Sequence, residues 1–300
     1  MTEKNQSAPP LRDASTIILA REKEGLLEIY LLKRSTKSGF MGGLYVFPGG
    51  AVDLYDRDDL WHQYLDLSSE QIKQQLGGSH FPVDIARGFA IAAIRETLEE
   101  AGVFIASGQN KTFEDIEDIA LYRLTKDLAP SWFKTKIMAE NWTLSLSNLG
   151  RWSHWITPKL MKKRFDTRFF IVLMPKGQTC VTDNIETKHG VWLTPQKALE
   201  QNLEAETPLS PPTVVTLTQL LKFNTLDELE HEMHSRPWGD PIAPALVSSS
   251  NGPVILEPWD PMYDTDSRID TSGFSDKVLE PGCEFSRIWC DNGLWKPVGL

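Results

Sequence analysis

The sequence predicts an α/β protein that carries an insertion and a C-terminal extension. Three observations lead there. Apolar and β-branched runs separated by turns crowd the first fifty residues, a stretch of helical period covers 84–101, and strand-like runs return at 167–174 and 189–193 before three further helical segments. With 41% hydrophobic and 24% charged residues, a chain of 300 can bury a sizeable core.

STIILA (15–20) and LLEIYLLKR (26–34) flank the charged turn REKEG and predict a hairpin, and LYVF (44–47) predicts a short strand ending at Pro48-Gly49-Gly50. Glycine pairs permit sharp turns and close approach, so Gly49 and Gly50 predict a backbone that must come near something. Residues 53–82 read as inserted and acidic, with a short helix in SSEQIKQQLGG that Ser68 and Gln71 cap reciprocally and Gly77 stops. An insertion of this length predicts a functional lid over one edge of a site.

The long helix follows and ends at Gly102. Helices are predicted at PQKALEQ, PPTVVTLTQLLKF and TLDELEHEMH, the second opening on Pro211-Pro212. Past Arg236 the character changes: eight of the nineteen prolines fall in 237–300, where GPVILEP and SRIWCDNGLWKP read as strands and Asn292-Gly293 as a hairpin turn. The expected division is a disordered tail over 1–12, one domain over 13–236 interrupted at about 57–82, and an extension over 237–300 of unassigned role.

A net charge of −10 argues against sequence-blind binding to nucleic acid. The polar N-terminus reads neither as a signal peptide nor as an organelle presequence, and no apolar run has the length to span a bilayer. Cys180, Cys283 and Cys290 form no disulfide framework and lack histidines at zinc spacing. The expectation is a cytoplasmic protein with neither membrane nor nucleic-acid partners. The oligomeric state stays open, a homodimer among the options.

Within the long helix lies RETLEEAGV, residues 95–103. At about 100° per residue, Glu99 and Glu100 fall near −60° and +40° from Glu96, so three carboxylates share one arc. Ala90, Ile91, Ile94, Leu98 and Ala101 take the opposite arc and predict the core face. Three glutamates without a lysine at i+4 repel one another. They are either a solvated acidic face or a hard-oxygen site for a divalent cation.

FPGG followed by this acidic helix resembles the signature of the Nudix hydrolases, Gly-x5-Glu-x7-Arg-Glu-U-x-Glu-Glu-x-Gly-U with U apolar. Gly50 stands for the first glycine, and Arg95, Glu96, Glu99, Glu100, Gly102 and Val103 for the second half, with Thr97 where an apolar residue is usual. About thirty residues separate the halves beyond the usual spacing. Counted back from Arg95, the intervening acid position is Arg87; counted forward from Gly50, it is Asp56. The coenzyme A diphosphatase-like subgroup is similar in splitting the signature here. It shares LLKRSTKSGFMGGLYVFPGG, with Arg34-Ser35 and Gly43 in register but Gly39 where a second arginine is usual, together with the downstream segments WITPKLMKKRFDTRFFIVLMP and HGVWLTPQKALE. The similarity covers roughly 14–235.

The resemblance implies an α/β/α sandwich with a mixed sheet and Mg²⁺ or Mn²⁺ held by Glu96, Glu99, Glu100 and the Gly49 carbonyl. Glu96 or Glu100 would serve as base and Arg95 would orient a glutamate. The implied substrate is a small nucleoside diphosphate derivative, coenzyme A or acyl-coenzyme A first. Arg34, Arg164 and Arg168 are candidate phosphate contacts through their guanidinium forks. Asp56 and Glu186 are candidate extra acids, while Phe165 and Trp192 read as core. Two alternatives remain: another nucleoside diphosphate as substrate, or a binding module without turnover, which the split signature and Arg87 would suit.

Overall fold

A computed structural model describes residues 8–37, 41–77, 81–183, 187–264 and 269–300, without the side chains of 187 and 188. The strands are β1 (Leu11–Lys23), β2 (Leu26–Arg34), β3 (Tyr45–Val46), β4 (Gly49–Ala51), β5 (Ala106–Ser107), β6 (Thr143–Leu144), β7 (Gly150–Ile156), β8 (Arg164–Leu173), β9 (Thr187–Leu193), β10 (Ala245–Ser249), β11 (Gly252–Leu256), β12 (Arg287–Asp291) and β13 (Leu294–Val298). The helices are α1 (Ser69–Gln75), α2 (Val83–Ala101), α3 (Phe113–Tyr122), α4 (Trp132–Ala139), α5 (Pro195–Leu203), α6 (Pro211–Leu220) and α7 (Leu226–Ser235).

The main sheet runs β3-β2-β1-β8-β7, with β4 added to the first half of β1 and β9 to β2. Among the described strands of this sheet only β1 and β8 form a parallel ladder, over Leu11–Arg164 to Ala20–Leu173, so the sheet is mixed as the resemblance implies. Two cores lie on its opposite faces. Ile17, Leu19, Phe170 and Val172 pack with α2, while Ile18, Ala20, Ile171 and Phe169 pack with the helices near Val214, Leu217 and Leu229. That is a helix–sheet–helix sandwich.

The predicted hairpin forms, with Glu24 and Gly25 at positive φ in its turn. β1 begins earlier than its apolar run, because Leu11, Arg12 and Asp13 gain ladder partners on β8. The predicted stops also hold: Gly102 caps α2 at φ 70°, and Ser68 and Gln71 form the reciprocal cap on α1. Ala90, Ile91, Ile94, Leu98 and Ala101 are fully buried, each of the larger side chains contributing about 1.5–3 kcal/mol. Thr97, polar at an apolar position, satisfies itself by donating to the Ala93 carbonyl at 2.8 Å.

The inserted segment is not the lid its length predicts. Trp61, Leu67, Ile72 and Leu76 are buried in the α2-side core, and Trp61 stacks on Phe133 at 5.8 Å. Its apolar residues outweigh its acidic character, and burying them seats it beside α2 rather than over an opening. The C-terminal segment builds a second sheet, β10-β11-β12-β13, whose Asn292-Gly293 turn has both residues at positive φ, as the sequence predicts. Ile242 clasps β7 through backbone bonds at His154 and Ile156, both 2.8 Å, and Asn202 donates to the Trp295 carbonyl at 2.8 Å.

Candidate active site

The helical period of α2 delivers its three glutamates to one end of a cavity of about 810 Å³. Arg95 organises them. Its Nη1 donates to Glu96 at 2.8 Å and to Glu99 at 2.7 Å, while Nε and Nη2 grip both oxygens of Asp56 at 3.0 and 2.9 Å. Nη2 also donates to the Ala51 carbonyl at 2.9 Å, tying the helix to β4. Trp132 Nε1 fixes the other Glu99 oxygen at 2.9 Å.

The glycine pair completes the arrangement. The Gly49 N–H donates to Glu100 at 2.8 Å. A methyl group on Gly49 would meet the Ser15 carbonyl at 2.3 Å, and one on Gly50 would meet the Glu96 carboxyl at 2.5 Å. What comes close to Gly49 and Gly50 is therefore β1 on one side and the glutamates on the other. Gly50→Ala should displace the Glu96 carboxylate and, with a misplacement of about an ångström, lower the turnover number about 10²-fold. A turnover number within twofold of the parent would refute that dependence.

Burial drives the electrostatics. It raises the Glu96 carboxyl to about 7; the Arg95 charge opposes this, and the neighbouring charges of Glu99 and Asp56 add to it. The Glu99 carboxyl is raised for the same first reason, burial, against Arg95 and the Trp132 hydrogen bond. Burial works against the Arg95 charge, yet Glu96, Asp56 and Glu99 outweigh it and keep the guanidinium protonated. Three carboxylates thus share one guanidinium in a poorly hydrated site, with Glu100 beside them on the Gly49 N–H, an imbalance that a hard divalent cation would relieve. Among the described residues no three acidic, histidine or cysteine side chains converge on one point, since Arg95 Nη1 stands between Glu96 and Glu99. Glu96 Oε2 makes no hydrogen bond with the described residues, so the donor set fits such an ion in chemistry and retains an oxygen to offer it.

Asp56, the acid counted forward from Gly50, is 1% exposed and serves as the bidentate partner of Arg95. Removing it leaves a buried guanidinium partly uncompensated, so Asp56→Ala should cost about 3 kcal/mol in urea unfolding. A loss below about 1 kcal/mol would mean that Glu96 and Glu99 suffice. Arg87, the acid position counted back from Arg95, is buried and pairs with Asp59 at 2.8 Å.

Arg34, Gly49, Arg95, Glu96, Glu99 and Glu100 all line the cavity. Arg164 and Arg168 do not. Arg164 bonds the Thr157 and Pro9 carbonyls at 3.1 and 3.2 Å. Arg168 is 4% exposed, pairs with Asp166 at 2.5 Å and lies over the Phe81 and Phe89 rings. Burial disfavours the Asp166 charge, but His154 and Arg168 prevail and hold its carboxyl below its ordinary range. The reason is parity: successive strand residues face opposite sides of the sheet. Lys163, Phe165, Thr167 and Phe169 meet the cavity, and Arg164, Asp166 and Arg168 the other face. Sequence reasoning accordingly missed Arg12 and Lys163 and read Phe165 as core, although it lines the cavity. Trp192 does pack on the core, beside Tyr30. Glu186 and Gly39 lie outside the described residues.

Residues 69–220 match the sequence model of the NUDT19 Nudix domain. The chain is 29% identical over 280 residues to the acyl-coenzyme A diphosphatase NUDT19 of Xenopus laevis, covering 80% of this chain and 72% of that one. With the human protein of the same name the identity is 28% over 301 residues, 87% of this chain and 80% of that one. Among solved structures, a NUDIX hydrolase from Alicyclobacillus acidocaldarius superposes with a TM-score of 0.58 at 21% identity, over 76% of this chain and 99% of that one. That likeness concerns the fold. No described helix is long and apolar enough to cross a membrane.

Proposed function

From the premise that this chain belongs to the NUDT19 Nudix hydrolase family, we propose that it cleaves the diphosphate bond of coenzyme A or acyl-coenzyme A, releasing 3′,5′-ADP and (acyl-)phosphopantetheine. The observation that carries the reaction is the glutamate triad of α2, held by Arg95, the Gly49 N–H and the missing side chain of Gly50. The substrate reading is supported by the names of the relatives and by a cavity that joins the acidic cluster to an apolar stretch of wall. Trp155, Phe169, Pro211 and Ile255 line it, the last from the C-terminal sheet, and suit a pantetheine arm or acyl chain.

Glu96, Glu99 and Glu100, with the Gly49 carbonyl, would hold Mg²⁺ or Mn²⁺, which supplies charge neutralisation and a more acidic water. The chain's own residues do the rest. Glu96 or Glu100 accepts the proton of the attacking water as its oxygen bonds to phosphorus and the bridging P–O bond breaks. Arg95 positions Glu96 and Glu99 and does not itself meet substrate, since its donors are committed to carboxylates and the Ala51 carbonyl. Arg34 faces the phosphates from the cavity wall.

A panel of coenzyme A, acyl-coenzymes A, ADP-ribose and dinucleoside polyphosphates, assayed with each metal and with products identified by mass, tests the reading. The expected outcome is 3′,5′-ADP and a phosphopantetheine with the highest kcat/KM. Preference for another diphosphate would overturn the substrate and keep the reaction; no turnover of any would overturn both. We expect removal of divalent cations with a chelator to abolish turnover and re-addition to restore it.

A further inference from the structure

The geometry points to a second anion subsite at the far end of the cavity, formed by Arg12 and Lys163 beside Phe165, that receives the ribose 3′-phosphate of the substrate. The inference rests on the coenzyme A reading above and names how that substrate is held at its nucleoside end.

Arg12 and Phe165 are Cα partners across the parallel β1–β8 ladder, and Lys163 stands two residues before Phe165, on the same face. All three line the cavity. Both cations are exposed, and neither side chain makes a hydrogen bond or ion pair with any described residue. The opposite face of the same strands behaves otherwise. There Asp13 is paired by Arg57, Asp166 by Arg168, and Arg164 is spent on two carbonyls. Among the described residues of these two strands, the charges on the far face are thus compensated, while Arg12 and Lys163 on the cavity face are not.

In a chain of net charge −10, two adjacent unpaired cations in a cavity form a local positive focus. They do not neutralise the glutamates. Gly49, which holds Glu100, pairs with Thr16. Arg12 lies four residues further along β1, about 13 Å at the rise of a strand. An anion there is separate from the diphosphate being cleaved. Level with Arg12 on the neighbouring strand, the half-buried Phe165 ring offers a face on which a base can stack. A nucleotide with its diphosphate at the glutamates, its base on Phe165 and a second phosphate at Arg12 and Lys163 satisfies each of these features. Charge-assisted bonds from a guanidinium and an ammonium are the interactions that discriminate such a phosphate.

The test compares 3′,5′-ADP with 5′-AMP by calorimetric titration of the intact protein and of the Arg12→Ala/Lys163→Ala variant, whose folding is checked by circular dichroism. The intact protein should bind 3′,5′-ADP at least tenfold more tightly than 5′-AMP, and the variant should lose that preference. An equal affinity for both in the intact protein, or a preference that survives in the variant, overturns the subsite. The same ratio is then read in turnover, as kcat/KM for coenzyme A over dephospho-coenzyme A, and should fall at least tenfold in the variant. Should the intact protein bind 3′,5′-ADP selectively yet hydrolyse neither substrate, the proposed reaction fails and the subsite stands.

Discussion

Glu100→Gln should lower the turnover number by roughly 10²–10⁴-fold, the range spanned by loss of a positioned acid–base group, and should leave the fold intact. Glutamine has the shape of glutamate and keeps an oxygen to accept the Gly49 N–H, so the link between α2 and β4 survives while the charge is lost. Glu100 is 5% exposed and shares its helix face with Glu96 and Glu99. Removing one of three like charges favours the metal-free protein by about a few tenths of a kcal/mol. The variant should therefore melt at or slightly above the parent temperature without metal. Unchanged turnover would remove Glu100 from the chemistry. A large fall in melting temperature would assign it to the fold instead. The contrast with Asp56→Ala is the informative part: Asp56, unlike Glu100, is bound by Arg95, and its removal strips a buried guanidinium of its bidentate partner, so stability should fall first there.

The glutamates and their opposite apolar face were legible because α2 is long and strictly periodic, and five predicted core positions are fully buried. The role of Asp56 was not. Its place after Gly50 is visible in sequence, but its pairing with Arg95 depends on the 3₁₀ turn Leu54–Arg57 folding the acid beneath α2. β8 misled for a different reason. Its first half does alternate, with Arg164, Asp166 and Arg168 on one face and Phe165, Thr167 and Phe169 on the other, but alternation alone does not say which of the two faces meets the cavity; the packing of β1 and β7 against β8 decides it. The insertion held its own signal in Trp61, Leu67, Ile72 and Leu76, apolar residues that a solvent-facing lid would leave wet. β7, whose RWSHWI mixes polar and aromatic residues, had no strand pattern clear enough to read.

The C-terminal sheet holds the largest expected effect on stability. Glu257, just past β11, is fully buried, and neither carboxylate oxygen has a hydrogen-bond partner among the described residues. Burial alone pushes its carboxyl up to about 8. A raised carboxyl binds its proton more tightly in the folded chain than in the unfolded one, where it titrates near 4.5. Below that value both states are protonated and the group contributes nothing to pH dependence. Between about 4.5 and 8 the unfolded chain has released the proton and the folded chain has not, so stability falls by about 1.4 kcal/mol per pH unit. Above 8 the loss levels off at about 5 kcal/mol. Glu257→Gln cannot ionise, and its stability relative to the parent should rise across that window and stay constant on either side. Urea unfolding of both proteins at pH 4, 6.5 and 9 measures the difference, which cancels every other titrating group. Parallel curves would show that this carboxyl is hydrated or paired, and that Ile255, two residues away on the cavity wall, is held by packing without a strained neighbour. A gap that widens with pH would make the wall beside Ile255 weakest in alkaline solution, where proteolysis should cut within 245–260 in the parent before it cuts in the glutamine variant.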